Sequence, residues 1–219
     1  MDMIPAFPHP ATRKTIYYTE QPDVNRSARY RIFKRGLDLF VSLLLLLLLL
    51  VPMSVIALVI VLDSPGSPIF CQERLGRNGR PFILLKFRSM RRDAEPNGPQ
   101  WAAVRDSRCT RVGAFLRKYR LDELPQLFNI LVGQMSFVGP RPERAYFYSQ
   151  FETYVIGFSN RLAVTPGLTG LAQINGGYDL LPEEKVAYDM TYIGSASLQT
   201  DIKCILRTIP VLLSCSGAR

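Results

Sequence analysis

The chain has 219 residues, 47% of them apolar, with 27 Lys+Arg against 18 Asp+Glu and a formal net charge of +9: enough for one domain with a tail, and a cation excess that suits anionic partners. Its single histidine, His9, lies between prolines near the N-terminus, which leaves a Ser-His-Asp or Cys-His centre almost nothing to draw on. Cys71, Cys109, Cys204 and Cys215 show no C-x-x-C spacing, and neither G-x-x-x-x-G-K-[ST] nor G-x-G-x-x-G occurs, so zinc, disulfide and common nucleotide-fold frameworks fall away and chemistry rests on carboxylates, Lys, Arg and a metal.

Residues 1–28 hold Pro5, Pro8, Pro10 and Pro22 among polar residues without a sustained apolar period, which predicts a flexible tail. Arg26, Arg29, Arg31, Lys34 and Arg35 then precede a charge-free run from Leu39 to Leu62. About nineteen of its residues are Leu, Val, Ile or Phe, favouring the bilayer by about 6 to 11 kcal/mol, so insertion is expected. A cleaved signal peptide fits poorly, because the run is too long and Asp63-Ser-Pro-Gly follows it.

Pro52 lies near the middle of this run, where it deletes a backbone hydrogen bond. The arms on either side reach roughly 20 Å and 15 Å, each short of a core of about 30 Å. Both flanks are basic, with Arg74, Arg77, Arg80, Lys86, Arg88, Arg91 and Arg92 on the far side. A kinked span puts only one basic flank in the cytoplasm, whereas a re-entrant hairpin puts both there; the residues alone allow either.

Gly76, Asn78 and Gly79 predict a hairpin between two short strands in 69–88. Lys86 and Arg88 share one face of its second strand, a pair of cations whose plainer reading is charge protecting an edge. From Arg111 to Leu131 apolar residues recur at three and four positions, predicting a helix that bends at Pro125 and closes at Gly133. Gly139-Pro-Arg-Pro142 holds Arg141 in an extended presentation suited to a phosphate, and Thr165-Pro-Gly-Leu-Thr-Gly170 reads as a turn. Leu198, Ile202, Ile205, Leu206 and Ile209 form one stripe of a last helix beside Lys203 and Arg207, which fits a membrane surface or a core.

Asp122-Glu123 follows Arg117, Lys118 and Arg120. One carboxylate can attack while the other holds Mg²⁺, and the cations can neutralise phosphate charge, the combination phosphoryl transfer needs. A solvated helical face laced with salt bridges is the plainer reading of that dipeptide.

The order of these pieces carries more than any one of them. Basic cluster, proline-broken run, Asp63-Ser-Pro-Gly, Gln72-Glu-Arg-Leu-Gly, Leu85-Lys-Phe-Arg-Ser-Met, Leu121-Asp-Glu-Leu-Pro-Gln, Val138-Gly-Pro-Arg-Pro-Glu and Pro166-Gly-Leu-Thr-Gly-Leu-Ala-Gln together resemble the bacterial sugar transferases, the monotopic polyprenol-phosphate phosphoglycosyl transferases, over about residues 31–215. The resemblance implies transfer of a sugar 1-phosphate from a UDP-sugar to undecaprenyl (polyprenol) phosphate with release of UMP, as the first step of exopolysaccharide, capsule or O-antigen-type glycan assembly. It implies that Asp122 forms a covalent aspartyl-phosphosugar intermediate, that Glu123 binds Mg²⁺, and that Lys86, Arg117 and Arg141 contact phosphates, with Arg88 beside them. It also favours the re-entrant helix broken at Pro52, seated in inner-membrane lipid with the active site on the cytoplasmic face.

Two departures stand out: Val51-Pro52 where many relatives have Ser-Pro, leaving Ser54 as the nearest hydroxyl, and Asn175-Gly-Gly177 where many have Asn-Gly-Arg. The expected architecture is α+β, mainly helical: a tail (1–28), a basic juxtamembrane segment and re-entrant membrane helix (29–62) and a catalytic domain (63–219) with a small β-hairpin and interfacial amphipathic helices. The rival from another class is a non-catalytic basic membrane adaptor for anionic lipid or protein partners. Nucleic acid is not expected as a partner, because aromatics do not interleave with the cations. No expectation is set for the sugar or the oligomeric state.

Overall fold

The computed structural model describes residues 15–24, 26–95, 98, 100 and 106–214. In chain order the elements are β1 (Tyr17–Tyr18), α1 (Ala28–Asp63), β2 (Ile69–Leu75), β3 (Pro81–Phe87), α2 (Arg111–Lys118), α3 (Gln126–Leu131) and β4 (Ser136–Val138). They continue as α4 (Ala145–Glu152), β5 (Val155–Ile156), β6 (Gly167–Thr169), α5 (Leu171–Ile174), α6 (Pro182–Ser195) and α7 (Leu198–Ser214). The strands form three separate pairs: β2 with β3 antiparallel, β1 with β5 and β4 with β6 parallel. The class is thus mainly helical with small sheets.

The apolar run lies in α1, one helix of 36 residues with Pro52 inside it. Ser27 caps its start, its hydroxyl accepting from the Tyr30 amide. Pro52 frees the Leu48 carbonyl, but the Ser54 hydroxyl donates to Leu50 O at 2.8 Å, so it does not replace the missing bond. Buried Asp38, Ser42, Leu46 and Ile60 recur at helical spacing along one face. That face is seated on the rest of the protein throughout. Asp38 accepts from the Phe137 amide at 3.0 Å, Leu46 packs with Phe82, Leu84, Leu127 and Ile130, and Ile60 packs with Phe87 and Leu116. The other face, including Leu47, Leu48, Leu50 and Val51, is exposed.

The basic cluster before the run is largely spent inside the molecule. Arg26 donates to the Ile193 carbonyl, and Lys34 pairs with Asp201 at 2.8 Å. Arg35 donates to Ile130 O and Leu131 O at 2.6 and 2.8 Å, tying α1 to the end of α3 where backbone carbonyls lack helical partners.

The hairpin forms as the turn residues predict: Asn78 and Gly79 take φ of 57° and 72°. Within the segment expected to be a tail, β1 is paired, Tyr17 and Thr19 amides donating to Tyr154 O and Ile156 O at 2.8 and 2.9 Å; the prolines at 5, 8 and 10 lie outside the described residues.

The single helix expected over 111–131 is corrected. The chain leaves α2 at Lys118, passes Arg120 in the left-handed region (φ 55°), makes a 3-10 turn over Leu121–Glu123 and restarts as α3 after Pro125. The bend therefore falls at Arg120, and Pro125 serves as the N-cap of α3. The segment 165–170 is also more than a turn. β6 runs within it and approaches the chain after β4 so closely that a Cβ on Gly167 would lie 2.0 Å from Gly139 N. The last helix turns Asp201 and Cys204 inward and its expected apolar stripe, Ile202, Ile205, Leu206 and Ile209, outward.

Candidate active site

The break at Arg120 presents Asp122 and Glu123 on a tight turn facing a cavity of about 460 Å³, a size that takes a small-molecule substrate. Lys86 comes to it from β3, Arg117 from α2 and Arg141 from the loop after β4. The structure thus brings together five of the residues singled out from the sequence, from elements far apart in the chain. Both carboxylates are buried, 7% and 9% exposed.

Their electrostatic settings differ. Glu123 accepts from Arg141 through both carboxylate oxygens and has Lys86 Nζ 3.5 Å from Oε1. Burial alone would raise its pKa, but Arg141 and Lys86 outweigh it and hold the group well below the ordinary carboxylate range. Asp122 makes no hydrogen bond or ion pair among the described residues. Burial, reinforced by the Glu123 charge and opposed by Lys86, Arg117 and Arg141, pushes its pKa up to about 6. One carboxylate is fixed as an anion between cations, while its neighbour stands unengaged, the division that separates roles in a two-carboxylate site.

Arg88 lines the same cavity, but its guanidinium is directed to the end of α1, donating to Pro65 O at 3.1 Å and to Ser64 O at 2.5 Å. It anchors the Asp63-Ser-Pro-Gly turn through Ser64 and Pro65. Gly177 borders a small recess with Arg120, Arg141 and Gln173, and a Cβ there would stand 4.0 Å from an Arg120 guanidinium nitrogen. Pro52 lies in α1 on the exposed face and not among the residues that line the cavity.

Sequence reasoning did not assign roles to Arg74, Glu143 or Arg144, which also line the cavity. Arg74 pairs with Glu143 at 3.0 Å and Arg144 with Glu95 at 2.8 Å. Their signal was adjacency, since Glu143 and Arg144 directly follow Gly139-Pro-Arg-Pro142.

No cluster of three His, Cys, Asp or Glu side chains that could hold a metal alone occurs among the described residues. Mg²⁺ characteristically takes one or two carboxylates and completes its shell with substrate phosphates and water. Glu123, anionic on the cavity wall, fits that mode as the single protein carboxylate, with phosphate and water supplying the remaining oxygens.

Comparison with known proteins gives a match to the family model for bacterial sugar transferase over residues 29–215. The chain is 40% identical over 193 residues to the UDP-N-acetylgalactosamine-undecaprenyl-phosphate N-acetylgalactosaminephosphotransferase of Aeromonas hydrophila, the alignment taking in 87% of this chain and 46% of that protein. It is 43% identical over 183 residues to a UDP-glucose:undecaprenyl-phosphate glucose-1-phosphate transferase of Klebsiella pneumoniae, covering 81% and 39% of the two chains. A protein of the same name from Caulobacter vibrioides is 41% identical over 192 residues, covering 84% and 71%. The chain thus spans less than half the length of the first two relatives.

Proposed function

The chain belongs to the bacterial sugar transferase family, and from that premise we propose that it moves a sugar 1-phosphate from a UDP-sugar to undecaprenyl phosphate and releases UMP, opening the assembly of a surface glycan. The observation that carries this reading is the pair at the cavity wall: an unengaged Asp122 beside a Glu123 held anionic by Arg141 and Lys86.

In the proposed reaction an Asp122 carboxylate oxygen attacks the sugar-bearing phosphorus of the UDP-sugar. The diphosphate P–O bond breaks and UMP leaves with that bond's electron pair. A phosphate oxygen of the lipid then attacks the same phosphorus, which restores the Asp122 carboxylate and joins sugar phosphate to lipid phosphate. Lys86, Arg117 and Arg141 hold and neutralise the phosphates, the main contribution a protein makes to phosphoryl transfer. Glu123 would hold Mg²⁺ together with substrate phosphate oxygens, and the ion would supply further charge neutralisation at the transferring group. At pH 7 and above Asp122 is largely ionised and competent to attack.

The membrane setting follows from the seating of α1. A helix that crossed the bilayer between its ends would leave the rest of the protein midway, yet α1 rests on it at Asp38, Leu46 and Ile60 alike. This supports entry and exit on one face, with the outward side of α1 and the stripe of α7 in lipid and the cavity at headgroup height, where a soluble sugar nucleotide and a lipid phosphate meet. The adaptor reading is weakened because Arg26, Lys34 and Arg35 are committed internally.

The test is UMP release by the full chain in detergent with polyprenol phosphate, Mg²⁺ and a panel of UDP-sugars. Release with at least one sugar, lost in Asp122→Asn, is expected; no release with any sugar would overturn the proposal.

A further inference from the structure

Behind the cavity wall lies a second set of charges that the proposed reaction does not use. Arg161 is 2% exposed and Asp189 1%. Arg161 Nη2 stands 2.6 Å from Asp189 Oδ2, and the guanidinium lies 4.8 Å from the Phe158 ring centre and 5.9 Å from that of Tyr148. A buried ion pair generally stabilises a fold no better than apolar side chains of similar volume. Stability therefore gives no reason for placing an arginine here, whereas its remaining hydrogen bond does: Nη2 donates to the backbone carbonyl of Arg141 at 3.1 Å.

That carbonyl is one of four in a row that are held from outside the loop. Pro140 O accepts from the Gly167 amide at 2.9 Å, Arg141 O from Arg161, Pro142 O from Arg74 at 3.3 Å and Glu143 O from the Leu75 amide at 3.1 Å. The prolines at 140 and 142 restrict the backbone and carry no N–H, so the loop cannot brace itself through a helix or hairpin of its own. Its position is set by these donors. Arg141 is the residue whose side chain leaves this loop to grip both oxygens of Glu123.

We propose that Arg161, neutralised by Asp189, is a positioning residue that fixes the Arg141 backbone so that its guanidinium meets Glu123 and the incoming phosphate. The proposal rests on the reading that Arg141 acts on phosphate beside the Asp122–Glu123 pair. Misplacing a charge-stabilising group by an ångström can cost about 100-fold in rate.

The experiment is a cycle of variants. Arg161→Met with Asp189→Leu removes this ion pair as a unit and leaves the neighbouring buried Glu143 and Lys185 in place. It is expected to lower kcat for UMP release about 100-fold with KM for the UDP-sugar changed less than threefold. The same pair of changes placed in an Arg141→Ala protein is expected to cost less than about threefold more, because Arg161 acts through Arg141. Losses that multiply independently, or no loss at all, overturn the proposal.

Arg161→Lys keeps the charge opposite Asp189 and shortens the reach to Arg141 O, so it serves if the double variant does not fold. Hydrogen exchange at the amides that tie down loop 139–143, those of Gly139, Gly167 and Leu75 donating to Thr169 O, Pro140 O and Glu143 O, measured in metal-free protein, gives a reading that does not depend on turnover. Exchange at least tenfold faster in Arg161→Lys, confined to those amides, is expected, and unchanged exchange overturns the positioning role. A wild-type protein that releases no UMP overturns the proposed reaction while the exchange comparison still decides the role of Arg161.

Discussion

Lys86 Nζ stands 3.5 Å from Glu123 Oε1, joining the β-hairpin to the turn that carries both carboxylates. Arg141 approaches the same Oε1 from the opposite loop, so three separate segments meet at one oxygen. With both partners nearly buried, this contact is screened far less than a surface ion pair.

Lys86→Met removes one of the two cations on Glu123 and one that acts on Asp122. UMP release by this variant is expected to fall about 100-fold, the usual cost of deleting one preorganised charge-stabilising group. Lys86→Arg should recover part of it. Turnover of Lys86→Met within threefold of wild type would remove Lys86 from the proposed mechanism.

Asp122 yields a prediction in stability as well as in rate. Its folded pKa of about 6 exceeds the ordinary 3.8, so between those values the folded chain holds a proton that the unfolded chain has released. Stability then falls as pH rises through that window and levels off above it. Asp122→Asn, which carries no charge, is expected to be more stable than wild type at pH 7.5 by on the order of 3 kcal/mol, with the gap closing toward pH 4. Thermal unfolding in chelator, across pH 4 to 8, measures this. The same variant should lose UMP release, and wild-type release should rise as pH passes about 6. An Asn variant less stable than wild type at pH 7.5 would show that the charge is not strained in its setting.

Much of this site could be read from the chain because its signals are local. Gly76, Asn78 and Gly79 call for positive φ and so for a hairpin, and two of them adopt it. The period of the last helix identifies its stripe, although periodicity cannot say whether the stripe meets core or lipid. The break at Arg120 was not readable, because a left-handed arginine is held there by its surroundings against its own preference. Nor could spacing show that 165–170 pairs with the strand ahead of Arg141, since strand partners distant in sequence leave no mark in either segment. Arg161 reads as a surface cation until Asp189 is folded against it.

Gly167→Ala tests that hidden pairing. The added Cβ would meet Gly139 N at 2.0 Å and Gly139 O at 2.6 Å, both backbone atoms, so no rotamer relieves the clash and the two chains must separate. Overpacking of this kind costs about 1 to 3 kcal/mol. Because Gly139 leads directly into Arg141, UMP release is expected to fall at least tenfold in protein still folded at the assay temperature. Measuring thermal unfolding beside turnover separates the two effects, and full activity would show that the loop tolerates displacement.

The seating of α1 predicts where its two ends lie. Ser27 caps its start and Cys71 sits exposed in β2 just beyond its end, while buried residues from Asp38 to Ile60 keep the intervening helix on one body. A straight crossing would place positions 27 and 71 on opposite sides of the membrane and pull that body through hydrocarbon, where its polar groups would be unsatisfied. In sealed inner-membrane vesicles, a Ser27→Cys protein and one retaining Cys71, each with its other cysteines replaced, are therefore expected to react with an impermeant maleimide from the same, cytoplasmic face. Pro52→Ala restores the amide that the helix lacks at its midpoint and leaves the seated face from Asp38 to Ile60 intact, so it is expected to keep same-side labelling. Labelling of the unaltered helix from opposite faces would rule out the one-sided seating and with it the headgroup-level site.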